Sequence, residues 1–239
     1  MDHIDTSEGS MNRGPERRKP PRHARDVFHA WMLEGAEYAG TLDMPKLAPA
    51  HADPHRIVAF SDAMDPTWDD FGCFVHFFED DSKIERFWSN PRVYLSKLGK
   101  FQGVLGLDYS VCYDFPVALK DYNQWRNSVC TYWLQQHLPC AIPQARCEDG
   151  NYSAVLAGFP KHSTIAIGAR SMVKGLGDRS ALKRSVMHIV DFLEPERILW
   201  YGSDMYGVAD YPREHGIPVH TYPAKGRGRL SHHSEGGEC

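Results

Sequence analysis

The stretch GVLGLDYSVCYDFPVALKDYNQWRNSVCTYWLQQHLPCAIPQARCE, residues 103–148, decides the fold. It opens on a short apolar run, Gly103–Leu107, that stops at Asp108-Tyr109-Ser110. Residues 116–137 then carry a long helical pattern, and residues 140–142 form a second apolar run that breaks at Pro143-Gln144-Ala145-Arg146. A helix between two short buried strands is the parallel βαβ crossover, because parallel strands need a long connection over one face of their sheet. The fold class is therefore α/β.

At 100° per residue, Tyr122, Trp125, Val129, Tyr132 and Trp133 fall on one stripe of that helix, broad enough to face a core. Pro116 suits the first turn, and Asp114 stands where a cap is expected. Arg126 projects into the apolar arc, flanked by Trp133 and Leu119, with Asn123 and Asn127 toward its margin. A guanidinium there needs a carboxylate, since an unpaired buried charge is strongly destabilising. Asp108 and Asp114 are the nearest in sequence, so a structural ion pair of Arg126 with one of them is expected.

Outward from this unit the same signals recur. Apolar runs at 57–60, 73–78, 164–167, 198–201 and 219–222 read as strands. Residues 83–98 carry a helical pattern broken by Pro91, residues 179–193 an amphipathic helix, and residues 211–215 a short helix or turn. Seven short strands with helical connectors predict a mainly parallel sheet, either barrel-like or doubly wound, and the count favours the barrel-like closure. The expected organisation is a basic disordered arm and covering segment over residues 1–54, a single α/β domain over 55–223, and a flexible tail over 224–239. Within the first of these, residues 26–38 read as a short helix packing Phe28, Trp31 and Leu33.

A length of 239 residues fits one full-sized domain, and 42% hydrophobic with 24% charged residues is ordinary for a globular chain. The net charge of −4 argues against a global attraction to nucleic acid. Only the tails offer basic clusters: Arg13, Arg17, Arg18, Lys19, Arg22 and Arg25 at one end, and Lys225, Arg227 and Arg229 at the other. No run of 18 apolar residues occurs and the N-terminus lacks an apolar segment, so the expectation is a cytoplasmic protein with no membrane partner. The six cysteines never stand as C-x-x-C, which fits buried thiols in a reducing compartment. Of 13 histidines the only adjacent pair is His232-His233, so no metal site is expected, and no cofactor motif stands out.

In either architecture a ligand site lies at the carboxyl ends of the strands. Those ends carry Asp62, His76, Asp80, Asp108, Ser110, Gln144, Arg146, Arg170, Ser171, Ser203, Asp204 and His220. Asp108 closes an apolar strand, a poor place for packing and a good one for acid–base work, which makes it the catalytic candidate. Arg146, Arg170, Ser110, Gln144 and Lys174 are the ligand-binding candidates. The loop from Gly168 to Asp178 carries Arg170, Lys174 and three glycines into a helix, an arrangement suited to an anion but matching no nucleotide-binding motif. Ser110 lacks the G-x-S-x-G setting of a nucleophile, and neither Cys112 nor Cys147 has a local histidine signature. The function expected is an enzyme, or an enzyme-derived pocket, for a polar anionic small molecule bearing phosphate or carboxylate. The alternative is a non-catalytic accessory protein that touches nucleic acid through its basic tails, or a protein partner.

Several of these residues also carry a resemblance. Leu107-Asp108-Tyr109-Ser110, Tyr113-Asp114-Phe115-Pro116, Asn123-x-x-Arg126-Asn127 and Ile142-Pro143 resemble the domain-of-unknown-function family 4417. So do the run from Arg56 to Ala63, Gly158-Phe159-Pro160-Lys161-x-Ser163, and Trp200-Tyr201-Gly202-Ser203, in the same order along residues 55–222. The resemblance implies a setting among bacterial, phage and mobile-element proteins. It implies no activity.

Overall fold

The computed structural model describes residues 26–112, 114–170 and 172–224; the two basic tails, Tyr113 and Ser171 lie outside the described residues. The central expectation is met. β5 (Gly103–Leu107) and β6 (Ala141–Ile142) pair in parallel through Val104↔Ala141 and Leu105↔Ile142, and α4 (Val117–Gln135) crosses between them. β3 (Ile57–Ala59) and β4 (Phe74–Phe77) extend this sheet in the order β3-β4-β5-β6, all parallel. A second parallel sheet is made of β7 (Thr164–Gly168), β8 (Arg197–Tyr201) and β9 (Val219–Tyr222). A single parallel bridge, Gln144↔Ala166, lies between the two sheets, and neither sheet closes on itself. A small antiparallel hairpin, β1 (Tyr38–Ala39) with β2 (Met44–Pro45), has no counterpart in the sequence reading, because two-residue strands carry no periodicity.

The helices are α1 (Phe60–Ala63), α2 (Asp81–Ser89), α3 (Pro91–Leu98), α5 (Tyr152–Val155), α6 (Leu176–Leu193) and α7 (Asp210–Glu214), besides α4. Pro91 splits α2 from α3 as a first-turn proline does, and Asn90 before it leaves the helical region at φ −145°, ψ 60°. Phe60 opens a helix rather than ending a strand, since a single buried aromatic fits either element. α6 starts three residues earlier than its apolar pattern, with Leu176 exposed in its first turn.

Three apolar clusters hold these layers. Val58, Val75, Phe77 and Val104 face α1 to α4. Ile165, Ile167, Ile198 and Trp200 face α6. Phe74, Phe78, Leu105, Ile142, Ala166, Leu199, Tyr201 and Tyr222 form a third cluster, to which both sheets contribute. Each fully buried large side chain contributes about 1.5–3 kcal/mol, so these layers carry most of the favourable energy. α4 lies close on β5: a Cβ at Gly106 would stand 2.5 Å from Thr131 Oγ1 and 3.0 Å from Gln144 N, so only glycine fits.

The segment before β3 differs in part from expectation. Before β1 it forms the 3₁₀ turn Ala30–Leu33, followed by Gly35 at φ 77°; Trp31 and Leu33 pack against the first cluster as expected and Met32 is buried with them, but Phe28 stays exposed. Met44 is buried too, and the Gln135 side chain grips both Ala48 N and Ala48 O.

The Arg126 side chain is largely covered, at 12% exposure, rather than fully buried, and neither Asp108 nor Asp114 is its partner. Its guanidinium lies 3.6 Å from the Tyr109 ring centroid, donates to Asn123 Oδ1 at 3.1 Å and pairs with Glu85 of α2 at 3.1 Å. Asp108 is taken by another arginine, and Asp114 belongs to the loop before α4, whose N-cap is Pro116 with no side-chain cap bond. Glu85 is half exposed, so removing Arg126 strands no buried charge and costs mainly the ring contacts. Arg126→Met is expected to lower stability by about 1–2 kcal/mol, read as a fall in Tm of a few degrees. An unchanged Tm would show that the stacked guanidinium contributes nothing.

Candidate functional site

β5, β6 and β7 end side by side, and the loops leaving these ends build one cleft of about 990 Å³. Asp108, directly after β5, is its centre. Both carboxylate oxygens are engaged: Oδ1 accepts from Gln144 Nε2 at 2.9 Å and Arg146 Nε at 3.1 Å, and Oδ2 accepts from Arg146 Nη2 at 3.0 Å. Arg146 Nη2 also donates to the Gly168 carbonyl at 3.3 Å, tying the ends of β5, β6 and β7 together. The side chains of Asp108 and Arg146 are only 10% and 17% exposed. Burial raises the Asp108 pKa above the ordinary carboxylate range, against the pull of the Arg146 guanidinium. A Cβ at position 168 would come within 2.7 Å of Phe78 and 2.8 Å of Asp108 Oδ2, so glycine there makes room for the pair.

α4 holds the loops around this pair with its polar face. Asn127 Oδ1 accepts from Tyr109 N at 2.8 Å, Asn123 Nδ2 donates to Ser110 O at 2.7 Å, and Gln124 Nε2 donates to Arg146 O at 2.5 Å. Lys120, one turn before Gln124, reaches both oxygens of Glu148 at 3.0 Å. Sequence reading passed over Lys120 and Gln124, although 120, 124 and 127 follow the i, i+4, i+7 spacing of one helical face.

The predicted site residues fall into three groups. Asp108, Arg146, Arg170 and Ser110 all line the cleft, and so does Asp114. Gln144 is 3% exposed and supports Asp108 from within the fold, so it is not placed to meet a ligand first. Lys174 is exposed and outside the cleft lining, because Arg179 holds the carbonyls of Val173 and Lys174 and turns that part of the loop outward. Asp62, His76, Ser203, Asp204 and His220 also lie outside the lining, His76 being buried between the strands. The Ser110 hydroxyl donates to Asp81 Oδ1 at 3.0 Å. Arg170 makes one side-chain bond, Nη1 to the Phe78 carbonyl at 3.4 Å, and no ion pair among the described residues. Cys112 and Cys147 line the cleft as free thiols; burial pushes Cys147 up to about 12 and raises Cys112 as well, so neither is a ready thiolate. Among the described residues no three His, Cys, Asp or Glu side chains are grouped to hold a metal ion. No helix among them is long and apolar enough to cross a membrane.

Parallel sheets under helices, with a cleft at the strand ends lined by charged side chains, define an α/β protein. The chain belongs to the family described as Domain of unknown function (DUF4417), whose model matches residues 36–215. It is similar to the Gene 1 protein of Mycobacterium phage L5, 24% identical over 188 residues that make up 74% of this chain and 81% of that one. It is also similar to the Gene 1 protein of Mycobacterium phage D29, 26% identical over 136 residues, 56% of this chain and 50% of that one. The domain is therefore phage-associated. No solved structure matches the chain.

Proposed function

We propose that the cleft binds a polar small molecule through a phosphate or carboxylate group, with Arg170 as the anchor. The observation that carries this is the position of Arg170: a guanidinium without an ion pair among the described residues, opening into the cleft of the Asp108–Arg146 pair. A guanidinium presents paired N–H donors that match such an oxyanion. Arg146, fixed by Asp108, supplies a second, pre-oriented donor edge. Where the ligand is turned over, the reading gives proton transfer to Asp108, a carboxylate that burial makes a stronger base while Arg146 orients it. The unit that would carry this is the α/β domain of residues 55–223, in the cytoplasmic setting that free thiols suit.

The same reading includes a barrel-like arrangement of the seven strands. Supporting it are the unbroken chain order of the parallel strands and the Phe78 ring stacked on Tyr201 at 5.0 Å and 12°. The gap between β9 and β3 is spanned by Tyr222 Oη bonded to the Pro54 carbonyl.

The test is ligand-induced thermal shift against nucleotides and sugar phosphates, with a duplex oligonucleotide as comparator. A phosphate ligand should stabilise the protein, and Arg170→Ala should weaken its binding by about 1.5–3 kcal/mol, the range for a charge-assisted hydrogen bond. Asp108→Asn should remove turnover and also weaken binding through Arg146, since its amide N–H would face one of the Arg146 or Gln144 donors that the carboxylate now accepts. Stabilisation by the oligonucleotide alone would overturn the proposal in favour of the accessory reading.

A further inference from the structure

We propose that an aromatic groove on α4, which shares no lining residue with the cleft, seats the chain's own segment Arg18-Lys19-Pro20-Pro21-Arg22. The groove, of about 420 Å³, is lined by Phe28, Leu42, Asp121, Tyr122 and Trp125. Tyr122 and Trp125 stand one helical turn apart and stack at 6.0 Å and 19°. Each ring is backed by a neighbour: the Arg126 guanidinium lies 5.3 Å from the Tyr122 centroid, and the Trp88 ring 6.4 Å from that of Trp125. Phe28 of the same groove is exposed, so an apolar floor stays open to solvent. Asp121 accepts from Asn151 Nδ2 through Oδ1 at 2.9 Å and has no ion pair among the described residues.

The position of the chain names the occupant. The described residues begin at Asp26, two residues before Phe28, so residues 1–25 enter at the groove itself. Pro21 stands seven residues before Phe28, a reach of at most about 25 Å. Two adjacent prolines favour the extended polyproline conformation, which presents its rings to aromatic-lined grooves. Lys19 and Arg22 flank the prolines and complement the Asp121 carboxylate. A nucleic acid in the groove would meet that carboxylate as a repulsion. Tethering gives the segment an effective concentration on the order of mM, so a shallow groove suffices to hold it.

The test is limited trypsin digestion of the full chain, with cleavage after Arg22 and after Arg13 followed by mass spectrometry. Arg13 lies outside the seated segment and serves as the internal reference. Cleavage follows the undocked population, so the wild type should be cut after Arg22 about fivefold more slowly than either Asp121→Asn or Tyr122→Ser, with the Arg13 rate equal in all three. Asp121→Asn keeps a side-chain oxygen for Asn151, so its effect reads the lost charge and not a lost fold. Equal Arg22 rates in the three chains overturn the proposal. The protection should not change between about 1 and 50 μM chain, because the tether carries its own ligand. Protection that grows with concentration, with dimers in sedimentation, overturns it in favour of the arm of a second copy. Protection gained only on adding a duplex oligonucleotide overturns it in favour of nucleic-acid contact.

Discussion

Asp108→Ala is expected to lower the unfolding free energy by about 3–5 kcal/mol, the cost of breaking a buried ion pair from one side. The size reflects the groups left behind. Arg146 is 17% exposed and would keep only the Gly168 carbonyl of its present side-chain contacts, while Gln144 Nε2 would lose its carboxylate acceptor inside the fold. Because these bonds join the ends of β5, β6 and β7, the loss also loosens the join between the two sheets. Removing both charges should hurt less than removing one: Asp108→Ala/Arg146→Met should recover at least about 1 kcal/mol over Asp108→Ala, since no orphaned guanidinium remains. Urea unfolding of the wild type, both single variants and the double variant measures the cycle. Single variants within about 0.5 kcal/mol of wild type would show a pair solvated well enough to be worth no more than a surface bridge.

The contrast with Arg126 shows what sequence can and cannot read. That a guanidinium on the core-facing arc of α4 is withdrawn from solvent follows from helical spacing alone, and its side chain is largely covered. Its partner Glu85 stands 41 residues upstream on another helix, so only tertiary packing brings them together. The seven parallel strands were legible because each has a short, mainly apolar core, even where His76 interrupts β4 and His220 interrupts β9, and the parallel direction of β5 and β6 followed from the helix laid between them. The ends of those strands told where polar groups would gather. They did not tell that Asp108 and Arg146, 38 residues apart, would satisfy each other and leave Arg170 as the cation of the cleft without an ion pair among the described residues. Lys174 missed the cleft for a similar reason. Loop direction is set by Arg179, which binds two loop carbonyls and lies 3.5 Å from the Tyr206 ring centroid.

The proposed barrel-like arrangement has its own expected result, again about 3–5 kcal/mol, for Tyr201→Ala. Tyr201 is 4% exposed, stacks on Phe78 at 5.0 Å and lies 4.4 Å from the His76 ring. Phe78 comes directly after β4 and Tyr201 ends β8, with β5, β6 and β7 between them in the strand order. At the usual spacing of about 4.8 Å per strand, four steps across a flat sheet would hold these rings roughly 19 Å apart. The ring contact brings together the ends of strands from two different sheets, and energetic coupling between the two rings tests the proposed barrel-like arrangement. Phe78→Ala should cost a similar amount, and the double variant should cost less than the sum by about 0.5–1.5 kcal/mol, the value of an aromatic pair beyond its buried area. The same urea titrations give the coupling. Strict additivity within about 0.3 kcal/mol would mean that the rings do not meet and that the barrel-like reading fails. A positive coupling brings the ends of β4 and β8 together, the contact on which the proposed barrel-like arrangement rests.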